Sequence, residues 1–468
     1  MIKQNLLRYT IPFHTSNEND FIFSSRKNMG WEQEHIVQGE NDLYDYIVNL
    51  MNERPENDVA SSWKLPKDFY IKKRFVTRLE QQDIVWNINQ MGLVLFTTGV
   101  GILWYEIDIS KLNQFEQIMD ISYTLKELTR GERENNYIQF SELVKSEKDI
   151  KIEKLKNDES VKIDKILDTK PGAVVKGIKK INFFSDILQK FIPNIQIDSY
   201  FANRMHEGEI RPDRAIPFSW VYECSENHNE DVQEYDKVFH LGRAYKSSYD
   251  MSSRVDKSDF YEPFNDSVWY ASLEGCANYV YPTIGKSFYD GGYRGRLDMY
   301  FYLYILCLGQ YYSLLQLAQE VSTLPTEKLQ FMLDDNQLES LLDKIHIFNL
   351  KNNYSQVGHF TQHNEFYEYV QRKLGINKMQ QELEVELQTL FEMIERKKMI
   401  RQERNYKVLS IIGGIFVVLQ AFINVAAMYA SAQAGDWGYF VFAAVGCIIL
   451  AAIGVLMWIL WWNRSKKK

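Results

Sequence analysis

Two stretches near the C-terminus limit what this chain can be. Val408 to Ala430 runs for 23 residues without a charge, and Trp437 to Trp462 for 26. Each exceeds the ~20 apolar residues that cross a bilayer core of ~30 Å as a helix. A helix is the required form, because lipid offers unpaired backbone groups no partner. Two buried helices of a soluble core are the alternative, but core helices rarely stay uncharged for so long. Four of the ten Trp residues also lie here, Trp437 at one end and Trp458, Trp461 and Trp462 at the other, as interfacial anchors do. The pattern predicts a transmembrane hairpin with a basic C-terminal tail over 408–468.

The flanking charges orient it. Arg396, Lys397, Lys398, Arg401, Arg404 and Lys407 precede the first span, and Arg464, Lys466, Lys467 and Lys468 follow the second. The connection from Ser431 to Asp436 has one acid and no base. By the positive-inside rule both termini are cytoplasmic and only the short loop is outside. The chain of 468 residues carries −8 overall, but from Arg396 onward ten Lys and Arg face two acids, +8, leaving the first 395 residues at −16. An acidic body of that kind argues against direct nucleic-acid binding, which needs a basic face. Met1 to Arg8 has no apolar core long enough for a signal peptide. Cys224, Cys276, Cys307 and Cys447 stand without paired spacing, as reduced structural cysteines do.

Residues 1–324 read as a cytosolic α/β domain. Asp42 to Met51 has a short helical pattern, and Leu93–Phe96 and Ile102–Ile107 look like two strands joined by a tight turn at Thr97–Gly101. Lys145 to Lys180 holds eleven lysines among acids and no aromatic residue, a composition that predicts a charged insertion or linker. Residues 181–290, rich in Phe, Tyr and Trp, complete the core, and Asp298 to Val321 reads as a buried helix ended by Pro325. A helical stalk is expected over 325–407, with segments at 326–350 and 365–374. From Asn377 no Pro or Gly occurs until Gly413, and Leu383, Leu387, Leu390 and Ile394 step by four, three and four. Such a seam, continuous with the first span, implies self-association or a stalk covered by its own chain.

Candidate chemistry is sparse. There is no His-Glu-x-x-His and no Cys-x-x-Cys, and His359 and His363 read as a surface pair, so no metal site and no catalytic residues are expected. Gly285-Lys286-Ser287 lacks the earlier glycine of a phosphate loop, since Val280 stands there. Gly291-Gly-Tyr293-Arg294-Gly-Arg296 offers free backbone, two guanidiniums and a ring just before a helix, which suits an anionic ligand. Arg211, Arg214 and Arg243 lie in neighbouring aromatic-rich segments. Together the six would suit a small nucleotide, with Arg on phosphate and Tyr against the base. Solvated arginines beside a glycine loop are the plain alternative. In the first span Ser410, Gly413, Val417, Gln420, Asn424 and Ala427 share one helix face. They serve either as interhelical glue or as the lining of an ion pathway.

A large cytosolic α/β domain, a long helix entering the first span, a short outer loop, a second span and a basic tail resemble the CorA family of pentameric divalent-cation channels. The resemblance implies a homopentamer in the bacterial inner membrane with the first-span helices around a pore and a divalent cation as permeant ion. That family ends the first span with Gly-Met-Asn; Ala427-Met428-Tyr429 stands in the nearest place here, which leaves magnesium selectivity unsupported. Leu95–Leu103, Tyr311–Leu317 and the stalk resemble a divergent CorA-like group, some members of which accompany type III CRISPR systems. That likeness implies an antiviral effector opened by a nucleotide second messenger, a conjugate of S-adenosylmethionine and AMP (SAM-AMP). A divalent-cation transporter and a membrane-anchored receptor or scaffold remain the alternatives.

Overall fold

The computed structural model describes residues 2–15, 31–33, 42–52, 60–67, 70, 73–79, 82–110, 112–127, 137–144, 174–183, 188, 199–201, 203–206, 209–212, 214–224, 233–249, 256–281, 286–322, 341, 343–346, 348, 354–432, 445, 446 and 449. The chain divides into two compact units, residues 1–383 and 384–468.

The first unit is built on a 13-stranded sheet. Its strands are β1 (Ile2–His14), β2 (Glu32–Gln33), β3 (Ala60–Lys64), β4 (Lys73–Leu79), β5 (Gln82–Phe96), β6 (Val100–Asp108), β7 (Tyr137–Val144), β8 (Val174–Asn182) and β9 (Ser199–Tyr200). β12 (Ile216–Glu223), β13 (Tyr261–Phe264), β14 (Ser267–Ser272) and β15 (Gly275–Val280) complete it, while β10 (Asn203–His206) and β11 (Glu209–Pro212) pair separately. The main path runs β13-β14-β15-β12-β1-β6-β5-β4-β7-β8. Neighbours are antiparallel except β12 and β15, which are parallel. The helices are α1 (Asp45–Asn52), α2 (Phe115–Lys126), α3 (Gln233–Arg243), α4 (Lys286–Gly291), α5 (Tyr293–Ser322), α6 (Thr361–Leu374) and α7 (Ile376–Ala432).

β1 lies in the middle of the path and is buried on both faces, because helices cover both. Leu7, Tyr9, Ile11 and Phe13 join the core that includes Ile118, Ile121 and Leu125 of α2, and the Tyr9 hydroxyl donates to the Ser122 carbonyl at 3.0 Å. On the other face Arg8, Trp104 and Phe218 meet Phe301 of α5. Alternation along each strand thus feeds two separate layers. α6 adds to the α5 side, where Phe366 stacks edge-on against Trp269 and Tyr300.

The expected hairpin is β5–β6. Its turn is closed by the Gly99 amide on the Phe96 carbonyl at 3.0 Å, and Gly99 takes a φ of 85° that favours glycine. The buried helix extends beyond Asp298–Val321 to Tyr293–Ser322. Of the lysine-rich stretch, residues 174–180 form part of β8, and the rest lies outside the described residues, as do most of 326–350. α6, assigned to the stalk from the sequence, instead packs on α5 and β14 within the first unit.

α7 runs unbroken for 57 residues, ~85 Å at ~1.5 Å per residue. Leu383 near its start is buried within the first unit, while nothing is described of the side chains of Leu387, Leu390 and Ile394. In the second unit Met399–Ala426 is long and apolar enough to cross a membrane; its most apolar 18-residue window has a mean hydropathy of 2.3, with 6% of that window buried. The expected second span, 437–462, lies largely outside the described residues. Val445, Gly446 and Ile449 are helical, and a Cβ on Gly446 would fall 2.7 Å from Val425 Cγ2. This part of the second run therefore touches the first.

Candidate functional site

The beginning of α5 is anchored by polar side chains. Tyr293 is buried and its hydroxyl donates to Asn278 Oδ1 at 3.2 Å; Asn278 donates in turn to Ser267 and to the Val268 carbonyl. Arg294 reaches back to the sheet, where its Nη2 lies 2.8 Å from Glu106 Oε1. Glu106 is 2% exposed, and its other oxygen accepts from Arg8 Nε at 2.9 Å and Nη2 at 2.8 Å. Arg8 also meets Asp298 Oδ1 at 2.5 Å and lies 4.6 Å from the Phe301 ring centre. Two guanidiniums and two carboxylates balance, with Arg8 and Glu106 buried and Arg294 and Asp298 half exposed at the edge. Burial works against the Arg8 charge, but Asp298 and Glu106 outweigh it and hold its pKa above the usual value.

Tyr293 and Arg294 therefore serve the fold, with Arg294 still half exposed. Arg296 is exposed, and its guanidinium sits 5.0 Å over the ring of Phe288, itself exposed. The glycines around them differ from those of the core. A Cβ on Gly92, Gly101 or Gly309 would drive into the ring of Trp104, Phe13 or Phe96 at 2.1–2.2 Å, so the fold itself demands glycine there. Gly291, Gly292 and Gly295 have nothing within 4 Å of an added Cβ, and their φ values are not left-handed. Nothing described in the chain requires glycine at these three positions.

Arg214 and Arg243 are brought together elsewhere. Arg214 Nη1 lies 3.6 Å from Glu274 Oε1, and Arg243 Nε lies 3.8 Å from Glu274 Oε2, at the turn between β14 and β15. Both separations are too long for a hydrogen bond, and Glu274 Oε2 has none. Arg243 Nε instead donates to the Tyr270 hydroxyl at 2.9 Å, with Phe239 stacked at 4.6 Å. Beside Arg214 a cleft lined by Pro212, Leu273 and Tyr312 encloses 40 Å³, room for a few waters and far short of the ~300 Å³ of a small-molecule pocket. Arg211 stands opposite Arg204 in the β10–β11 ladder. Tyr312, beside Arg214, and Tyr293 are nineteen residues apart on α5, ~28 Å along the helix, so Arg214 and Arg243 are separated from Tyr293, Arg294 and Arg296 within a chain.

His359 and His363 do not converge on one point. His359 lies edge-on to Tyr44, and His363 is buried beside Tyr300 and Phe360. Among the described residues no group of three His, Cys, Asp or Glu is placed to hold a metal.

In α7 the stripe Ser410, Gly413, Val417, Gln420 and Asn424 is exposed along its length; Ala427 continues it in the helix. The less exposed positions, Gly414, Val418, Ala421 and Val425, recur by four, three and four. That is the face Gly446 touches. Among the described residues, the second run thus meets α7 at Gly446, on the face next to the polar stripe, and the stripe itself is exposed. No protein-family model, curated protein or solved structure matches this chain.

Proposed function

We propose that this chain is a multi-pass membrane protein that assembles as a CorA-like ion channel, with both termini cytoplasmic and the Ser410–Ala427 stripe facing the pathway. The observation that carries this reading is the uncovered stripe on an exposed, apolar, continuous helix. Amide side chains at membrane depth need partners, and Gln420 and Asn424 both lie on an exposed face of α7. Copies of the same helix, stripe to stripe, would supply those partners and enclose a path lined by neutral amides. The number of copies, five, comes with the family resemblance.

The acidic sheet unit is the sensor in this reading. Gly291, Gly292 and Gly295, open to solvent beside Arg294, Arg296 and Phe288, offer bare backbone and cationic side chains to an anionic ligand such as the nucleotide conjugate SAM-AMP. Because the cleft at Arg214 is too small to enclose a nucleotide, the Arg214–Arg243 group would contribute only from a neighbouring subunit. Ligand that binds the open arrangement more tightly shifts the population towards it. The implied role is a type III CRISPR antiviral effector.

Planar-bilayer recordings of Asn424→Leu and Gln420→Leu test the pathway. The reading expects unitary conductance to change or vanish in both while the protein still inserts. Unaltered conductance would remove the stripe from the pathway, and a membrane-anchored receptor or scaffold would show no unitary currents even before mutation.

A further inference from the structure

We propose that α7 from Arg396 to Lys407 is a docking surface for anionic phospholipid headgroups, set on the side of the helix away from the Ser410–Asn424 stripe. The proposal rests on the reading that α7 enters a membrane. At about 100° per residue, Arg396, Lys397, Lys398, Arg401, Arg404 and Lys407 fall within an arc of roughly 200°. Glu392, Glu395 and Glu403 fall within roughly 80° on the other side, and the stripe from Ser410 to Asn424 continues that acidic side up the helix. Charge is therefore sorted around the helix as well as along it. The base-rich side points where lipid would lie, and the acid-bearing side points with the polar stripe.

Four of these bases reach solvent. The side chains of Arg396 and Lys407 are 73% and 61% exposed, and those of Arg401 and Arg404 are exposed as well. Arg396 and Lys407 pair with Glu392 and Glu403 one turn away, at 3.6 and 2.5 Å. Such solvent-facing pairs are weak and yield readily to a denser field of phosphate. Ile400, 66% exposed, lies within the basic arc and gives it an apolar foot for the acyl boundary.

Position selects the lipid surface over other anions. Lys407 directly precedes the uncharged run, and Arg404 and Arg401 lie ~6 and ~10 Å of helix rise before Val408. Their long side chains cover that distance into the headgroup layer. Headgroup contacts on this arc would fix the rotation of α7 and keep the polar stripe turned from lipid.

The test uses the full-length protein in phosphatidylcholine vesicles containing phosphatidylglycerol, with a trace of either lipid spin-labelled. The fraction of motionally restricted label is read for the natural protein and for Arg401→Gln/Arg404→Gln/Lys407→Gln, which keeps Arg396, Lys397 and Lys398 for topology. We expect restricted phosphatidylglycerol to exceed restricted phosphatidylcholine by about twofold or more at low salt. High salt should bring the two lipids to parity, and the triple substitution should at least halve the excess. Equal restriction in the natural protein, or a preference undiminished by the triple substitution, overturns the proposal. If neither lipid is restricted, α7 does not enter the bilayer, and the membrane reading falls with it.

Discussion

Arg8 and Glu106 face each other across the β1–β6 ladder, joined by two hydrogen bonds of 2.9 and 2.8 Å, with 4% and 2% of their side chains exposed. Arg294 on one carboxylate oxygen and Asp298 on the guanidinium tie the pair to the start of α5. The sheet and its longest buried helix are thereby joined by charge as well as by rings.

Removing one member of that set should cost far more than removing both. Arg8→Met leaves Glu106 with a buried charge held only by Arg294 and Asn89, and is expected to lose about 3–5 kcal/mol of stability in the sheet unit. Arg8→Met/Glu106→Leu should recover a large part of the loss, since a well-filled apolar pair is close to neutral. Thermal melting of the detergent-solubilised protein checks this; a double variant no better than Arg8→Met contradicts it.

The glycines give opposite expectations at two sites on α5. Gly309→Ala should lower the melting temperature, because its Cβ would lie 2.1 Å from the buried Phe96 ring, a clash worth about 1–3 kcal/mol. Gly295→Ala meets no atom and should stabilise the helix start by about 0.5–1 kcal/mol. If the open glycines exist for a ligand, Gly295→Ala should also blunt the response to nucleotide. Comparison of melting and of nucleotide-dependent flux in the same two variants separates these roles.

Acid should loosen the first unit before its carboxylates titrate. Burial holds the pKa of His363 below 6.5, despite the nearby Asp42, and burial does the same for His240. Both are neutral in the fold, whereas in the unfolded chain they take a proton near 6.5. Their contribution is therefore complete above about pH 6.5 and is lost progressively below it. The melting temperature should fall between pH 7.5 and 5.5, and the fall should shrink in His363→Phe/His240→Gln. An undiminished fall in that variant would assign the effect to other groups.

Local chemistry made some of this legible in the sequence. The β5–β6 hairpin showed through Thr97–Gly99, α5 through its uncharged core, and the first two thirds of α7 through the absence of Pro and Gly between Asn377 and Gly413. β1 did not show, because Asn5 and Arg8 interrupt its apolar pattern. Asn5 lies over the carbonyls of Ile109 and Leu112, and Arg8 over Glu106, partners about a hundred residues away. The same distance effect hid the role of Arg294, whose carboxylate partner is 188 residues upstream. Five arginines and Tyr293 read as one ligand set; the fold places Arg214 and Arg243 beside Glu274, Arg211 opposite Arg204, and Tyr293, Arg294 and Arg296 at the start of α5. The open stripe of α7 was visible by its three-and-four spacing. The neighbouring face that Gly446 touches needed coordinates, because nothing in a wholly apolar run marks which side meets a partner.

The channel reading stands or falls on ion flux from liposomes carrying the purified full-length protein, measured with and without SAM-AMP and related nucleotides. The account predicts little flux until the nucleotide is added, then release that is abolished or altered by Asn424→Leu. Release that is constant and indifferent to nucleotide would favour a divalent-cation transporter instead. No release under any condition would contradict the account outright.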